Sequence, residues 1–508
     1  MKKLTLIIFL AVLSGCAVNP VTGDRNFMLG TTSDDIKLGA QYYAPMLQSQ
    51  GGEYDVDPVL TAYVSEIGNK VASFSGVDLP YEFTVLNSSV PNAWALPGGK
   101  IAINRGLLTE MQNEAELAAV LGHEVVHAAA RHSAQQQAKG TLLQGAVLAT
   151  SVVTANSDYG NLATGGASVA AQLVSTKYGR NAELESDRYG MRYMRDAGYD
   201  PQGAVTLQEA FVRLSEGRNQ DWLSGLFASH PPSEERVREN RKRAKRMGAG
   251  GIVGEAPYQA AMQKTMAAKP AYDAYDDGRK ALAEKDLEAA LGHAVQALNL
   301  FPDEANFHAL RGDIRLLQDR HGDALINYNR AINRRGNFFY YHLQRGLTHS
   351  KLGDTDNAEI DLERSLTMLP TAPAHYELGI IKKNRGAMPE AIEHFRVVAQ
   401  AGGEIGQAAN SELARLELNS KPGNYVASAC SVGNSGQLIV SVRNDAPMDI
   451  NGVAVQIEYT DNSGQRQAIR RNVGGRLKPG EIASSDTRLS PYNGQTCPVS
   501  VIAAEIAD

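Results

Sequence analysis

The spacing of hydrophobic residues changes once along this chain, from helical to alternating. As far as about residue 420, apolar positions recur with the period of an α-helix. Beyond the Lys-Pro-Gly sequence at 421–423 they alternate, with turn signals between the runs. The 508 residues are too many for one core. We therefore expect a multidomain protein with a mainly α-helical block over 32–247, a linker with a short helix over 248–270, a helical array over 271–419 and an all-β domain over 422–508.

The helical array contains an internal repeat. Small residues recur at intervals of 34, 34 and 33, first as glycine and twelve residues later as alanine: Gly278, Gly312, Gly346 and Gly379, then Ala290, Ala324, Ala358 and Ala391. Small residues at fixed positions allow paired helices to pack closely, and this period is typical of tetratricopeptide repeats. We therefore expect an α-helical solenoid that ends in a capping helix at 406–418.

The C-terminal domain is predicted to be a small β-sandwich. Five or more short strands fit into fewer than 90 residues, as in immunoglobulin-like domains. Two of the three cysteines, Cys430 and Cys497, lie in this segment and form an even pair once Cys16 is set aside. Two interpretations stay open, a disulfide worth about 4 kcal/mol in the chain-entropy model and two unrelated free thiols.

The N-terminus resembles the signal sequence of a bacterial lipoprotein. Two lysines precede an apolar run at 4–13, which is too short to span a bilayer, and small residues then lead to Cys16. We expect a signal peptide over 1–15, lipid on Cys16 and a tether over 16–31. Ala17 after the cysteine resembles the pattern that sorts lipoproteins to the outer membrane. The alternative is an ordinary secretory signal in which the cysteine is incidental.

Charge and cysteine content exclude two classes of function. The formal net charge is −6 and 21% of the residues are charged, which gives no electrostatic reason to expect nucleic acid as a partner. Three cysteines are too few for a cysteine-rich zinc site. Any metal site must therefore use histidines and carboxylates.

The strongest chemical motif is His-Glu-Val-Val-His at 123–127. Asn113 is a helix-capping signal upstream, so the motif is expected on a helix, where histidines four residues apart share one face and reach a single metal ion. A catalytic zinc needs three protein ligands and one open position, and a later glutamate often completes a two-histidine site. Glu183 is the candidate for that third ligand.

The acidic motif at 183–187 offers a ligand and a supporting residue. Glu183 and Asp187 share a helical face, whereas Glu185 points roughly the other way. Asp187 can then accept the free N–H of a ligating histidine and fix its orientation. The alternative is a solvated acidic face in which these carboxylates pair with arginines of the same segment.

These motifs resemble those of the M48 metallopeptidases, a gluzincin group. The resemblance covers about residues 30 to 245 and includes 92–101, 113–117, the zinc helix as far as His132, and the Tyr-Gly-Arg sequence at 178–180. With a signal sequence before this region and tetratricopeptide repeats after it, the arrangement is similar to periplasmic proteases of the BepA type. The C-terminal β-domain departs from that pattern.

The resemblance implies an α+β, mainly helical gluzincin-type fold that binds one Zn²⁺ per chain. His123, His127 and Glu183 would be its ligands, with Glu124 as general base and Asp187 as the residue that orients a histidine. It also implies an edge strand that binds an extended substrate through main-chain hydrogen bonds. The residues of that strand would be Gly98, Gly99, Lys100, Ile101, Ala102, Ile103 and Asn104.

His230, in a Ser-His-Pro-Pro sequence, is a secondary candidate. In proteins of the BepA type a histidine before proline can occupy the open zinc position and hold the enzyme latent, so the resemblance implies a fourth ligand that acts as a latch. An oxyanion-stabilising histidine and an ordinary loop histidine are the alternatives.

The leading hypothesis is a lipid-anchored zinc endopeptidase on the periplasmic side of the outer membrane. It would cleave unfolded or misassembled envelope proteins, while its repeats recruit clients or the outer-membrane assembly machinery. The competing hypothesis is an envelope-assembly chaperone or scaffold that acts mainly through its repeats. Glu124 favours the enzyme, because a scaffold needs no carboxylate to activate water.

Two further segments have alternative interpretations. The apolar segment 141–155 is either a buried helix or a membrane-facing hairpin, and the buried helix is the prediction because the stretch is short for a membrane span. The basic segment 236–246 is either a solvated helix face or a contact with anionic lipid, and the solvated face is the prediction.

Overall fold

The computed structural model describes residues 16–28, 30–143, 178–217, 229–248, 250–434, 436–461, 463–490 and 497–507. The predicted signal peptide at 1–15 and most of the apolar segment 141–155 lie outside these residues. The chain divides into two compact units, Met1–Pro370 and Thr371–Asp508. No helix among the described residues is both long enough and apolar enough to cross a bilayer.

The first unit begins with the region that carries both metal motifs. Its strands are β1 (Cys16–Val18), β2 (Arg25–Phe27), β3 (Glu82–Leu86), β4 (Ala93–Leu96) and β5 (Lys100–Asn104). Its helices are α1 (Thr32–Ser49), α2 (Pro58–Ala72), α3 (Arg105–Leu108), α4 (Glu114–Ala129), α5 (His132–Leu143), α6 (Arg180–Asp196), α7 (Gln202–Gly217) and α8 (Glu234–Met247). One hydrophobic core is shared by the three-stranded sheet and helices α2, α4, α6 and α7.

The three-stranded sheet has the order β3-β5-β4, with β5 parallel to β3 and antiparallel to β4. Because β5 is paired on both sides, its backbone hydrogen bonds are already made. The prediction that 98–104 forms an edge strand is therefore wrong. Gly98 and Gly99 form the turn before β5, where their φ angles of 79° and 93° favour glycine, and the strands at the two edges are β3 and β4.

Helix α4 begins as the capping signal predicts and touches α6 at its centre. The side chain of Asn113 accepts a hydrogen bond of 3.0 Å from the backbone N–H of Glu116. Further along, a Cβ atom on Gly122 would lie 2.9 Å from the carbonyl oxygen of Gly190, so the two helix backbones are in direct contact. This contact brings the histidine motif of α4 beside the acidic motif of α6.

The segment 248–270 contains far more helix than the sequence indicated. Most of it belongs to a helix of 29 residues, α9 (Glu255–Ala283), which continues through Pro270. Tyr258 and Met262 in its first half are buried in the core of the metal-motif region, and the Tyr258 hydroxyl donates to the carbonyl of Leu108 at 2.6 Å. Burial of this apolar face explains why the segment is an ordered helix and not a linker with only a short helix.

The repeats follow as helix pairs. In the first unit these are α10 (Leu287–Leu300), α11 (Ala305–Leu317), α12 (His321–Arg334), α13 (Phe339–Lys351) and α14 (Thr355–Met368). Each repeat glycine makes room for a large side chain of the next helix. A Cβ on Gly312 would lie 2.6 Å from the Tyr328 ring, and one on Gly346 would lie 2.9 Å from Leu362. The period seen in the sequence is therefore a packing period.

Hydrogen bonds between buried polar groups connect the repeats to the metal-motif region. Arg335, only 5% exposed, donates to the carbonyls of Gly51 at 3.2 Å and Glu53 at 3.1 Å. The Asn87 amide donates to Glu304, also buried, at 3.3 Å. Unpaired, these groups would each cost free energy in the interior, so the two regions form one packed unit.

The second unit contains the last repeat helices and the β-domain. Its helices are α15 (Ala372–Asn384), α16 (Met388–Ala399) and α17 (Gly403–Glu417), and its strands are β6 (Val426–Val432), β7 (Leu438–Asn444), β8 (Ile450–Thr460), β9 (Arg466–Asn472), β10 (Ile482–Asp486) and β11 (Val499–Ile506). The strands form two antiparallel sheets, β10-β7-β6 and β11-β8-β9, around one core. The Cα atoms of Cys430 and Cys497 lie 5.7 Å apart, a separation typical of disulfides. The predicted fold class of helical block, solenoid and β-sandwich is confirmed.

Candidate metal centre

Four buried side chains converge where α4 and α6 cross. They are His123, His127, Glu183 and His230, and their ligand atoms all lie within 4.8 Å of one another. His123 Nε2 lies 3.0 Å from His127 Nε2, and His230 Nδ1 lies 3.1 Å from Glu183 Oε1. Imidazole nitrogens combined with one carboxylate are ligands that zinc prefers.

Asp187 orients His123. Its Oδ1 lies 3.0 Å from His123 Nδ1 and accepts that N–H, which leaves the Nε2 lone pair turned toward the cluster. Arg236 of α8 in turn donates to both carboxylate oxygens of Asp187, at 2.7 and 2.8 Å, and lies 3.0 Å from Glu183 Oε2. One guanidinium group therefore holds both carboxylates.

The position of Arg236 corrects one sequence interpretation. The basic segment 236–246 was predicted to be a solvated face, but Arg236 is only 5% exposed because it faces α6 and the acidic motif. The prediction holds for Arg238, Arg241 and Lys242, which are exposed. A helical period places Arg236 on the opposite face from these residues, yet nothing in the sequence names its acidic partners.

His132 orients His127 in the same way as Asp187 orients His123. Arg131 has a φ of 58° and reverses the chain after α4, which brings His132 Nδ1 to 3.0 Å from His127 Nδ1. His132 Nε2 lies 3.3 Å from Glu185 Oε1 and donates to it. In neutral His132 the Nδ1 atom is then an acceptor, so His127 donates from Nδ1 and presents its Nε2 lone pair to the cluster.

Burial and the contacts among the cluster residues set their protonation states. Burial opposes ionisation of Glu183, but His230 and His123 outweigh it and hold the pKa of this carboxyl well below its ordinary value. Burial also opposes ionisation of Asp187, whose pKa Arg236 keeps low. Burial lowers the pKa of His127 well below its ordinary range, so its imidazole is neutral at pH 7. Burial also opposes protonation of His123, but Glu183 and Asp187 outweigh it and raise the pKa of this imidazole to about 9. Ionised carboxylates and neutral imidazoles are the forms that bind metal, so a cation at this site must displace a proton from His123.

Glu124 stands beside the cluster and takes no direct part in it. Glu124 is only 2% exposed, and its Oε1 lies 3.6 Å from His230 Nε2. Its Oε2 has no hydrogen-bond partner in the described part of the chain. A buried carboxylate oxygen without a donor is uncommon and calls for an explanation. Together with the donor set, it fits a site for zinc and a water molecule.

A cavity of about 40 Å³ adjoins Glu124, His123 and His230. Most of its lining is apolar, including Leu107, Val120, Met191, Leu207 and Phe211. Ala93 of the edge strand β4 also borders it. One end of β4 therefore lies at the same cavity as Glu124.

The structure brings together most of the residues that the sequence singled out. The two histidines of α4, Glu183 and Asp187 of α6, and His230 meet in one buried site, whereas 98–104 leads into the central strand and not an edge strand. Sequence reasoning missed Arg236 and the contact between His132 and Glu185, because these contacts depend on the turn after α4 and on the packing of α8. No motif spacing marks these contacts.

Two regions of the chain match known protein families. Residues 58–244 match the model of peptidase family M48, and residues 269–338 match a model of the tetratricopeptide repeat. A provisionally named beta-barrel assembly-enhancing protease of Vibrio cholerae is 31% identical over 249 residues, which are 47% of this chain and 51% of that protein. The beta-barrel assembly-enhancing protease of Escherichia coli K12 is 26% identical over 276 residues, which are 52% of this chain and 56% of that protein.

A shorter relative aligns over nearly its whole length. The metalloprotease YcaL of Escherichia coli K12 is 30% identical over 248 residues, which are 46% of this chain and 92% of YcaL. In contrast, the chain spans about half the length of the two beta-barrel assembly-enhancing relatives. The chain belongs to peptidase family M48, and tetratricopeptide repeats follow its M48 region.

Proposed function

We propose that this protein is a zinc-dependent endopeptidase that cleaves unfolded or misassembled proteins of the bacterial cell envelope. The observation that carries the proposal is the buried cluster of His123, His127 and Glu183, with a Glu124 oxygen beside it that has no partner among the described residues. A scaffold has no use for such a carboxylate. Membership of family M48 and similarity to a named metalloprotease support the same activity.

Each residue of the site would have a separate role in peptide hydrolysis. His123, His127 and Glu183 would hold a zinc ion, which supplies a Lewis acid that polarises the scissile carbonyl and makes water more acidic. Glu124 takes the proton from the attacking water and passes it to the leaving amine. Asp187 keeps the His123 ring in the orientation that this chemistry requires.

We propose that the substrate binds along β4. The outer side of an edge strand can accept an extended chain through main-chain hydrogen bonds, which depend little on side chains. Unfolded proteins offer extended segments and folded ones seldom do. Selectivity for unfolded clients would therefore follow from the strand itself.

Zinc-loaded protein is expected to degrade casein, to lose this activity in a chelator and to recover it when zinc is restored, because without the metal no Lewis acid polarises the scissile carbonyl. Gel electrophoresis of casein over time measures all three states. Undiminished cleavage by metal-free protein would contradict the metal mechanism. If the zinc-loaded chain cleaves no unfolded protein while its repeats bind one, the scaffold hypothesis takes its place.

His230 is proposed to be a removable fourth ligand that keeps the centre latent. Its Nδ1 lies 3.3 Å from His123 Nε2 and 3.1 Å from Glu183 Oε1, so the imidazole stands where a water would have to enter. The His230→Ala variant is expected to cleave casein several-fold faster with its zinc content unchanged. His321→Ala, in the repeats, is the control. Slower cleavage by His230→Ala would instead indicate a catalytic histidine, and an unchanged rate an ordinary loop residue.

We propose that lipid on Cys16 holds the protein on the periplasmic side of the outer membrane. Asn19 is fully buried and its amide donates to Glu185 Oε1 at 2.8 Å. Three residues of extended chain span at most about 11 Å, so an anchor on Cys16 would keep the metal centre close to the membrane surface. A disulfide between Cys430 and Cys497 would suit the oxidising periplasm.

The repeats are proposed to recruit clients or the outer-membrane assembly machinery. Solenoids of this kind offer an extended concave surface for binding other proteins. Two of the relatives are named for enhancing beta-barrel assembly, which favours outer-membrane proteins as clients of this chain as well.

A further inference from the structure

The cavity beside Glu124 contains a polar group that its apolar lining does not explain. Gln208 of α7 borders the cavity and is only 5% exposed. Its Oε1 has no hydrogen-bond partner among the residues that the structure describes. Asn240 is the second amide at this cavity, and its oxygen accepts a hydrogen bond of 2.9 Å from Arg243. Gln208 Oε1 thus differs from the Asn240 oxygen in having no hydrogen-bond donor in the described part of the chain.

An unpaired amide in a buried position is costly unless something else occupies the space. Leaving such a group without a partner costs free energy in the folded chain, and leucine or methionine would fill the same position without that cost. We therefore expect the Gln208 amide to form its hydrogen bond with a bound molecule. Because the cavity reaches Glu124 and His230, that hydrogen bond lies where a side chain next to the scissile bond would enter.

We propose that this cavity is a specificity pocket for a residue flanking the scissile bond, and that Gln208 selects a short, uncharged side chain with a hydroxyl or amide group. This inference rests on the proposed proteolysis. Serine, threonine and asparagine would give the Gln208 amide its missing hydrogen bond. An aliphatic side chain of the same shape would leave the amide unpaired.

The size and charge of the pocket limit which substrate side chains it can accept. About 40 Å³ is room for roughly three water-sized groups, which admits threonine or asparagine and excludes aromatic side chains. A charged side chain would lose its hydration against the mostly apolar wall, and the lining groups Arg236 and Asp187 already pair with each other. Pockets that hydrogen-bond a substrate group discriminate strongly against analogues that lack it.

The test compares shape-matched peptides. Two pairs of fluorogenic peptides differ only in one residue beside the cleavage site, threonine against valine and asparagine against leucine. Zinc-loaded wild type is expected to cleave the polar member of each pair about tenfold faster in kcat/KM, the size of one lost hydrogen bond in a buried site. Equal rates, or a preference for valine and leucine, would overturn the proposal without touching the proposed function.

Two variants on the same helix separate the amide from general effects. In Gln208→Met the tenfold preference is expected to disappear while the valine peptide is still cleaved. Gln202→Met makes the same substitution on the exposed side of α7 and is expected to keep the preference. A preference that persists in Gln208→Met would overturn the role of the amide, and if that variant does not fold, the wild-type comparison still decides.

Absence of any cleavage would contradict the proposed function. The pocket is then tested by measuring peptide binding. The same peptide pairs are then titrated calorimetrically into the zinc-loaded Glu124→Gln variant. Tighter binding of the threonine and asparagine peptides supports the pocket, whereas equal or undetectable binding overturns it.

Discussion

The Glu124→Gln variant is expected to keep its zinc and to lose cleavage of casein, with kcat lower by about 10² to 10⁴. Glutamine has nearly the same shape as glutamate, and Glu124 is not among the four residues whose ligand atoms converge, so metal binding should be unaffected. The amide cannot take a proton from the attacking water, and this step is lost. Metal analysis and initial rates on casein measure the two properties separately.

A surface glutamate provides the control for this variant. Glu209 lies on α7 in an exposed ion pair with Arg241, and such pairs contribute little to stability. Glu209→Gln should therefore cleave casein at the wild-type rate. Wild-type activity in Glu124→Gln would show that another group accepts the proton, and loss of zinc from it would show that Glu124 also supports the ligands.

The Arg236→Met variant is expected to lose about 3–5 kcal/mol of unfolding free energy. Arg236 donates to Asp187 through two nitrogen atoms and lies 3.0 Å from Glu183, and all three side chains are buried. Its removal leaves two carboxylates in the interior without their countercharge. Methionine fills a similar volume, so the loss reflects charge and hydrogen bonding more than packing.

Urea unfolding of the metal-free chain, followed by tryptophan fluorescence, measures this loss. Trp94 is buried in the region of the metal motifs, so its fluorescence reports on that region. Arg238→Met on the same helix is the control, because the Arg238 side chain is 59% exposed and such substitutions usually change stability by less than about 0.5 kcal/mol. Equal midpoints for the two variants would mean that the Arg236 contacts are not stabilising.

Helical periodicity explains why much of the metal centre was predictable. Residues four apart on a helix share a face whatever the rest of the fold does, so His123 with His127, and Glu183 with Asp187, could be paired from spacing alone. Their meeting depends on the contact of Gly122 with Gly190, which no spacing indicates. The resemblance to family M48 supplied that link.

The predictions that failed concern contacts between elements. Strand β5 has the composition of a strand, but only the pairing with β3 and β4 makes it central. Arg236 was grouped with its basic neighbours because a run of charges is usually solvated, yet its side chain turns to the acidic motif of α6. The contact of His132 with His127, which the sequence did not indicate, depends in the same way on the left-handed turn at Arg131.

The sequence by itself determined the properties that local periodicity and small-residue spacing control. These are the division into helical and β regions, the repeat of 34 residues, and the two motifs that carry the candidate ligands. Tertiary structure decided which strand lies at the sheet edge, which cation holds the acidic motif, and that Gln208 borders the cavity beside Glu124. The physical reason is that burial and pairing across elements depend on long-range packing, to which neighbouring residues in the chain contribute little information.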